Sequence, residues 1–213
     1  MHALHIKKVK MKYSWLSAAL LTSLLLCAGA SAKQYSTLSQ PVADAPVVVE
    51  FFSFYCGPCY AFNEQYRAVE AINQALPAGA AVTRYHVSAM GKLGPELSEA
   101  WAVATIKGVT DHIGPLLFTA VQRDRTINSP DDIKAVFSKA GISPGEYENT
   151  RHSVMVRALV DRQEAAVSTF GVSGTPSVYV KGRYLIDNGG VKATTPEGYA
   201  AAYASLVSAL VSK

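Results

Sequence analysis

Short apolar runs and apolar positions at helical spacing, separated by proline, glycine and polar residues, divide most of the chain into predicted elements. The run Val47-Val48-Val49-Glu50-Phe51-Phe52 is β-branched and aromatic and predicts a buried strand. Residues 56–76 read as one helix, with Pro58 in its first turn, where the missing N–H costs nothing. Pro77-Ala78-Gly79 ends it, and 82–87 form a second strand. Strand, helix and strand in this order predict a βαβ unit and a mainly parallel sheet.

The pattern then turns helical. Residues 95–107 carry Leu97, Trp101 and Ala104 at helical spacing, and 115–123 predict a short helix starting at Pro115. Ser129-Pro130-Asp131-Asp132 caps another, whose apolar face is Ile133, Val136, Phe137 and Ala140. Ser143-Pro144-Gly145-Glu146 has the spacing of a capping box. Strands return at 177–180 and 183–186 around Lys181-Gly182, a two-residue hairpin turn, and Thr195-Pro196-Glu197 opens a last helix. Residues 33–46, polar and proline-containing, predict an irregular arm. The expected fold class is therefore α/β with an inserted helical block.

The first 32 residues stand apart. Lys7, Lys8, Lys10 and Lys12 form a basic stretch, a leucine-rich apolar run follows, and Ala30-Ser31-Ala32 fits a cleavage site. This is the pattern of a cleaved secretory signal peptide over 1–32. It changes the charge picture. Removing those four lysines from the 20 basic residues leaves as many bases as the chain's 16 acids. A neutral body lacks the basic footprint of a nucleic-acid partner. Cleavage also removes Cys27. Two cysteines then remain, Cys56 and Cys59, in a compartment where disulfides persist.

Cys56-Gly57-Pro58-Cys59 follows a strand and opens a helix, and the chemistry wants that placement. Free N–H groups and the dipole at a helix N-terminus stabilise a thiolate, the reactive form of cysteine. Cys56 at the helix start is the candidate nucleophile, and Cys59 the resolving thiol. Three other readings compete. A structural staple over two residues closes too small a loop to gain much. A zinc site needs further ligands, and His86, His112 and His152 have no paired spacing. Inert core cysteines would have no reason to sit at a helix start. The context favours a redox pair, with no metal and no cofactor beyond the Cys56–Cys59 disulfide.

Phe51-Phe52-Ser53-Phe54-Tyr55-Cys56, Cys59-Tyr60, 83–87, 100–104, Gly174-Thr175-Pro176 and 180–184 together resemble the DsbA family of bacterial periplasmic thiol:disulfide oxidoreductases. The resemblance runs in one order along the whole mature chain. It implies a thioredoxin fold over 33–87 and 165–213, interrupted by an all-helical domain over 88–164. It implies periplasmic disulfide donation to newly secreted client proteins by a monomer, with reoxidation by a quinone-linked inner-membrane protein. It also implies a cis Pro176 beside the cysteines, with the Thr175 backbone free to pair with an extended substrate. Glu50 would be a buried acid near Cys59, with Arg84 on the next strand as counter-ion. Two positions depart from the family pattern. Gly57-Pro58 stands where Pro-His is usual, as in thioredoxin, and Thr175 where Val is common; both bear on the direction of electron flow. A reductase or isomerase running the other way is the competing enzyme reading, and a non-catalytic peptide-binding module is the other alternative. Phe52, Phe54, Tyr55 and Tyr60 could line a peptide groove or belong to the core. Trp101 is expected in the core of the helical domain.

Overall fold

The computed structural model describes residues 33–213 together with His2, so the leader reading of 1–32 lies outside the described residues. Five strands form one sheet: β1 (Tyr35–Thr37), β2 (Val48–Phe52), β3 (Val82–His86), β4 (Ser177–Val180) and β5 (Tyr184–Ile186). Their order is β1-β5-β4-β2-β3, with β2–β3 parallel and the other pairs antiparallel. β2 is an interior strand buried on both faces, as a run that is apolar except for Glu50 requires. The parallel register sets Glu50 opposite Arg84.

Helices α1 (Gly57–Tyr60), α2 (Ala68–Ala75) and α8 (Pro196–Val211) belong to the sheet's own body. Val48, Val178, Val180 and Ile186 pack on one sheet face against Phe62, Ile72, Tyr203 and Val207. Between β3 and β4 lie α3 (Gly94–Ile106), α4 (Thr110–Phe118), α5 (Pro130–Lys139), α6 (Pro144–Arg151) and α7 (Val154–Thr169). Trp101, Phe118 and Phe137 centre the core of this block, which reaches Phe52, Phe54 and both cysteines. The expected boundary at 164/165 falls inside α7, because that helix serves two bodies. Leu159 and Val160 pack on the helical core, while Ala166, Val167 and Phe170 cover Phe51 and Tyr179 on the sheet.

Several local expectations change. The helix expected over 56–76 is three pieces. A π-helical turn (Ala61–Gln65) follows α1, and Arg67 at φ +53° breaks the chain before α2. The break lets Phe62 and Tyr66 meet Tyr203 and Tyr199 of α8, with ring centroids 5.0 and 5.3 Å apart. The arm over 33–46 contains β1, which the open edge of β5 recruits through Asp187 N–H to Gln34 O and Leu38 N–H to Arg183 O, both 2.8 Å. The helix expected from Pro115 starts at Thr110. Pro115 is exposed on its outer face, so its ring meets solvent and not packed neighbours. A second π-helical turn, Thr119–Arg123, continues it. Ser129 and Asp132 make the full reciprocal capping box. At Ser143 only the serine half forms, because Glu146 pairs with Lys107. Lys181 and Gly182 both have positive φ, 53° and 59°, and Arg183 N–H donates to the Val180 carbonyl across them at 3.0 Å. The strands, however, pair Val180 with Tyr184, so the loop is three residues and not the expected two, the Arg183 carbonyl accepting from Leu38 N–H instead. A Cβ at Gly182 would strike the Val42 carbonyl. Among the described residues no helix is long and apolar enough to cross a membrane.

Candidate active site

β2 ends at Phe52, and the chain turns through Ser53-Phe54-Tyr55 into α1. Ser53 forms that turn: its carbonyl accepts from Cys56 N–H (3.0 Å) and its hydroxyl from Tyr55 N–H (3.2 Å). Cys56 is thereby the N-cap residue of α1, and its sulfur accepts the Cys59 N–H at 3.1 Å. Cys56 and Cys59 form a disulfide. Cys59 is fully buried and Cys56 retains 4% exposure, so attack from outside has one target. The Thr175–Pro176 peptide is cis, and the Thr175 carbonyl oxygen lies 3.3 Å from Cys56 Sγ. The Thr175 hydroxyl donates to Met90 Sδ at 3.5 Å, and Asn188 Nδ2 holds the Pro176 carbonyl at 2.8 Å. Gly57 and Pro58 are exposed. A Cβ at Gly57 would meet nothing closer than Gln122 Oε1 at 3.9 Å.

Glu50 is fully buried behind this turn. Arg84 Nε donates to its Oε2 at 2.6 Å. The guanidinium lies against the rings of both Phe52 (4.4 Å) and Trp101 (5.0 Å), which themselves meet edge-on, and the two rings hold it while its own solvation is reduced. Asn63 Nδ2 donates to Glu50 Oε1 (2.8 Å) and to the Cys59 carbonyl (3.0 Å). Beside them burial pushes the Glu64 carboxyl up, against the pull of Arg84 and Arg67. A cleft of about 800 Å³ opens from Asn63, Glu64 and Arg84 to the surface near Asp111.

A second network ties the cysteine turn to the helical block. The Phe54 N–H donates to His86 Nε2 (3.1 Å), so the ring proton lies on Nδ1 and goes to Ser98 Oγ at 2.7 Å. Gln163 accepts the His86 N–H at 2.9 Å, and Gln122 Nε2 holds the Phe54 carbonyl at 2.7 Å. Both backbone groups of Phe54 are thus pinned by side chains distant in sequence. Phe52 and Phe54 are core residues, whereas Tyr55 and Tyr60 keep partial exposure; Trp101 is buried in the helical core.

In the sequence His86 stands only as a histidine without paired spacing, and nothing there marks Asn63, Gln122 or Met90. A lone amide, thioether or histidine carries no local signal, since these side chains find their partners, Glu50 for Asn63, Phe54 for His86 and Gln122, and Thr175 for Met90, 13 to 85 residues away. Desolvation, then the Arg84 charge, lower the His86 pKa to about 3. The folded state refuses a proton that the unfolded chain accepts below about 6.5. Stability from this group is therefore complete above pH 6.5 and is lost as pH falls from there toward 3, by up to ~1.4 kcal/mol per pH unit. In urea titrations from pH 7 to pH 4, His86→Gln should flatten the fall in stability. An unchanged slope would assign the acid sensitivity to other groups.

Residues 47–197 match the family model described as DSBA-like thioredoxin domain. The chain is 43% identical over 209 residues to the thiol:disulfide interchange protein DsbA of Dickeya dadantii, covering 95% of this chain and all of that one. It is 44% identical over 181 residues to the DsbA of Yersinia pestis, covering 85% and 87%. Among solved structures, DsbA of Proteus mirabilis with the non-covalently bound peptide PWATCDS superposes with a TM-score of 0.82 at 42% identity, over 86% of this chain and 98% of that one. Family model, relatives and structure agree with a cysteine pair at a helix start facing a cis-proline: the chain belongs to the DsbA family and is a thiol:disulfide oxidoreductase with a thioredoxin fold and a helical insertion.

Proposed function

We propose that this protein is a periplasmic dithiol oxidase that donates its Cys56–Cys59 disulfide to secreted client proteins. The observation that carries the reading is the placement of Cys56 Sγ, which accepts the Cys59 N–H at the start of α1 and faces the Thr175 carbonyl. A client thiol loses its proton and attacks Cys56 Sγ; the Cys56–Cys59 bond breaks and Cys59 leaves, taking up a proton. A second client thiolate attacks the client sulfur of the mixed disulfide, and Cys56 leaves as a thiolate stabilised by the helix N-terminus. The client is oxidised and the protein reduced by two electrons. The Thr175 backbone pairs with the extended client segment. Glu50 carries the proton of Cys59 in either direction, with Arg84 as its ion-pair partner. The A-x-A leader over 1–32 supports export, after which a quinone-linked membrane partner reoxidises a monomer.

Gly57-Pro58 supports a second reading, a reductase. Neither residue has a side chain that can donate to the Cys56 thiolate, which lowers the stability of the reduced form. The test is equilibration with glutathione. Replacing Gly57-Pro58 by Pro-His should raise the reduction potential by tens of mV, with ~30 mV corresponding to ~1.4 kcal/mol. The open space beside Gly57 accommodates the change. Protein trapped by acid and alkylation in the cell should be mostly oxidised and should oxidise a reduced two-cysteine peptide. A mostly reduced pool would establish the reductase direction instead, and an unchanged potential would show that the surrounding fold sets it.

A further inference from the structure

A buried carboxylate that handles a proton must present the correct oxygen to the correct sulfur, and a carboxylate held at only one oxygen can rotate. At Glu50 both oxygens are held. Arg84 Nε takes Oε2, and the rings of Phe52 and Trp101 fix the guanidinium in turn. The other oxygen is held by Asn63, whose single Nδ2 group spends both protons on oxygens, Glu50 Oε1 at 2.8 Å and the Cys59 carbonyl at 3.0 Å. The reversed amide would set Oδ1 against two acceptors, so the neighbours determine the orientation. It holds although Oδ1 is buried without a partner among the described residues. The π-helical turn Ala61–Gln65 carries Asn63, four residues beyond Cys59. Such turns recur where a helix is bent to function.

We propose that Asn63 is a positioning residue for the Cys59 half-reaction: it yokes the Glu50 carboxylate to the backbone of the cysteine whose proton Glu50 carries. This rests on the reading of Glu50 as that proton carrier. When Cys59 attacks a mixed disulfide at Cys56, its S–H proton goes to Glu50, a Cys59–Cys56 bond forms and the client thiolate leaves. Asn63 keeps Oε1 on the Cys59 side throughout. The charged and titratable groups around Glu50 are Arg84 from β3, Glu64 from the same π turn, Tyr203 from α8 and Cys59 itself.

The test is the rate at which Cys59 displaces glutathione from the Cys56–glutathione mixed disulfide, followed from pH 5 to pH 8. Asn63→Leu should slow it about tenfold, part of the ~10²–10⁴ that positioned acid–base groups supply. Asn63→Asp sets a second carboxylate against Glu50 and should move the midpoint of the pH profile upward while thermal unfolding stays cooperative. In a Glu50→Gln background, Asn63→Leu should add nothing. If Glu50→Gln slows the step and neither Asn63 variant alters rate or profile, the Asn63 inference is overturned and Glu50 keeps its role. Additive losses in the double variant would overturn it too, because Asn63 would then act by another route. If Glu50→Gln itself leaves the rate unchanged, the reading of Glu50 fails first.

Discussion

Cys59→Ala should accumulate covalent mixed disulfides with clients in the cell, and Cys56→Ala should accumulate none while abolishing disulfide transfer. The asymmetry follows from burial and from the helix end. Cys59 is fully enclosed, so no external sulfur reaches it; Cys56 keeps the only exposed edge of the pair. After reduction, the sulfur at the N-cap is the one the free N–H groups of α1 stabilise as a thiolate. At pH 5–6 an ordinary thiol, with a pKa of ~8.5, is almost wholly protonated, so a thiol stabilised as thiolate stands out. Iodoacetamide should therefore label Cys56 of the reduced protein well ahead of Cys59, as read by peptide mass. Equal labelling, or trapped clients on the Cys56→Ala protein, would reverse the assignment.

Arg84→Met should be among the most damaging single substitutions outside the cysteines. Methionine retains an apolar stem against Phe52 and Trp101 but leaves the Glu50 carboxylate buried with Asn63 as its remaining donor. Breaking a buried pair from one side costs ~3–5 kcal/mol. For a domain of this size that lowers the midpoint of thermal unfolding by on the order of 10 °C. The loss has a pH signature. A stranded carboxylate burdens the fold only while it is charged. The variant's deficit is then small below about pH 4 and grows as pH rises toward neutrality. Arg84→Met with Glu50→Gln should recover most of the stability at pH 7. A deficit independent of pH, or no recovery in the double variant, would locate the effect of Arg84 in its packing against the two rings.

The Arg84 prediction uses the β2–β3 register, and that register shows how far local sequence reaches. The apolar run around Glu50 marks it as a covered acid, and an acid inside an apolar strand needs a partner. The resemblance supplied Arg84, and parallel pairing sets the two opposite each other. Asn63 carries no comparable mark. In a regular helix from Cys56 its position is one polar residue among several. The π turn and the Arg67 break rotate it onto Glu50, and the aromatic pairs that favour that break come from α8, more than 130 residues away.

What the sequence determined by itself is what depends on neighbours within a few residues. Such features are the strand before the cysteines, the helix start that holds Cys56, the caps at Ser129 and Thr195, and the Lys181-Gly182 turn. Period, capping and positive φ are short-range properties, and the residues involved announce them. Tertiary structure alone decided the recruitment of β1 to an open sheet edge, the three-piece helix after Cys56 and the sharing of α7 between two cores. It also decided the amide and imidazole contacts that lock Phe54 and Glu50. Those depend on which groups burial leaves without water. A buried polar atom takes whichever partner the packing brings within reach, wherever that partner lies along the chain.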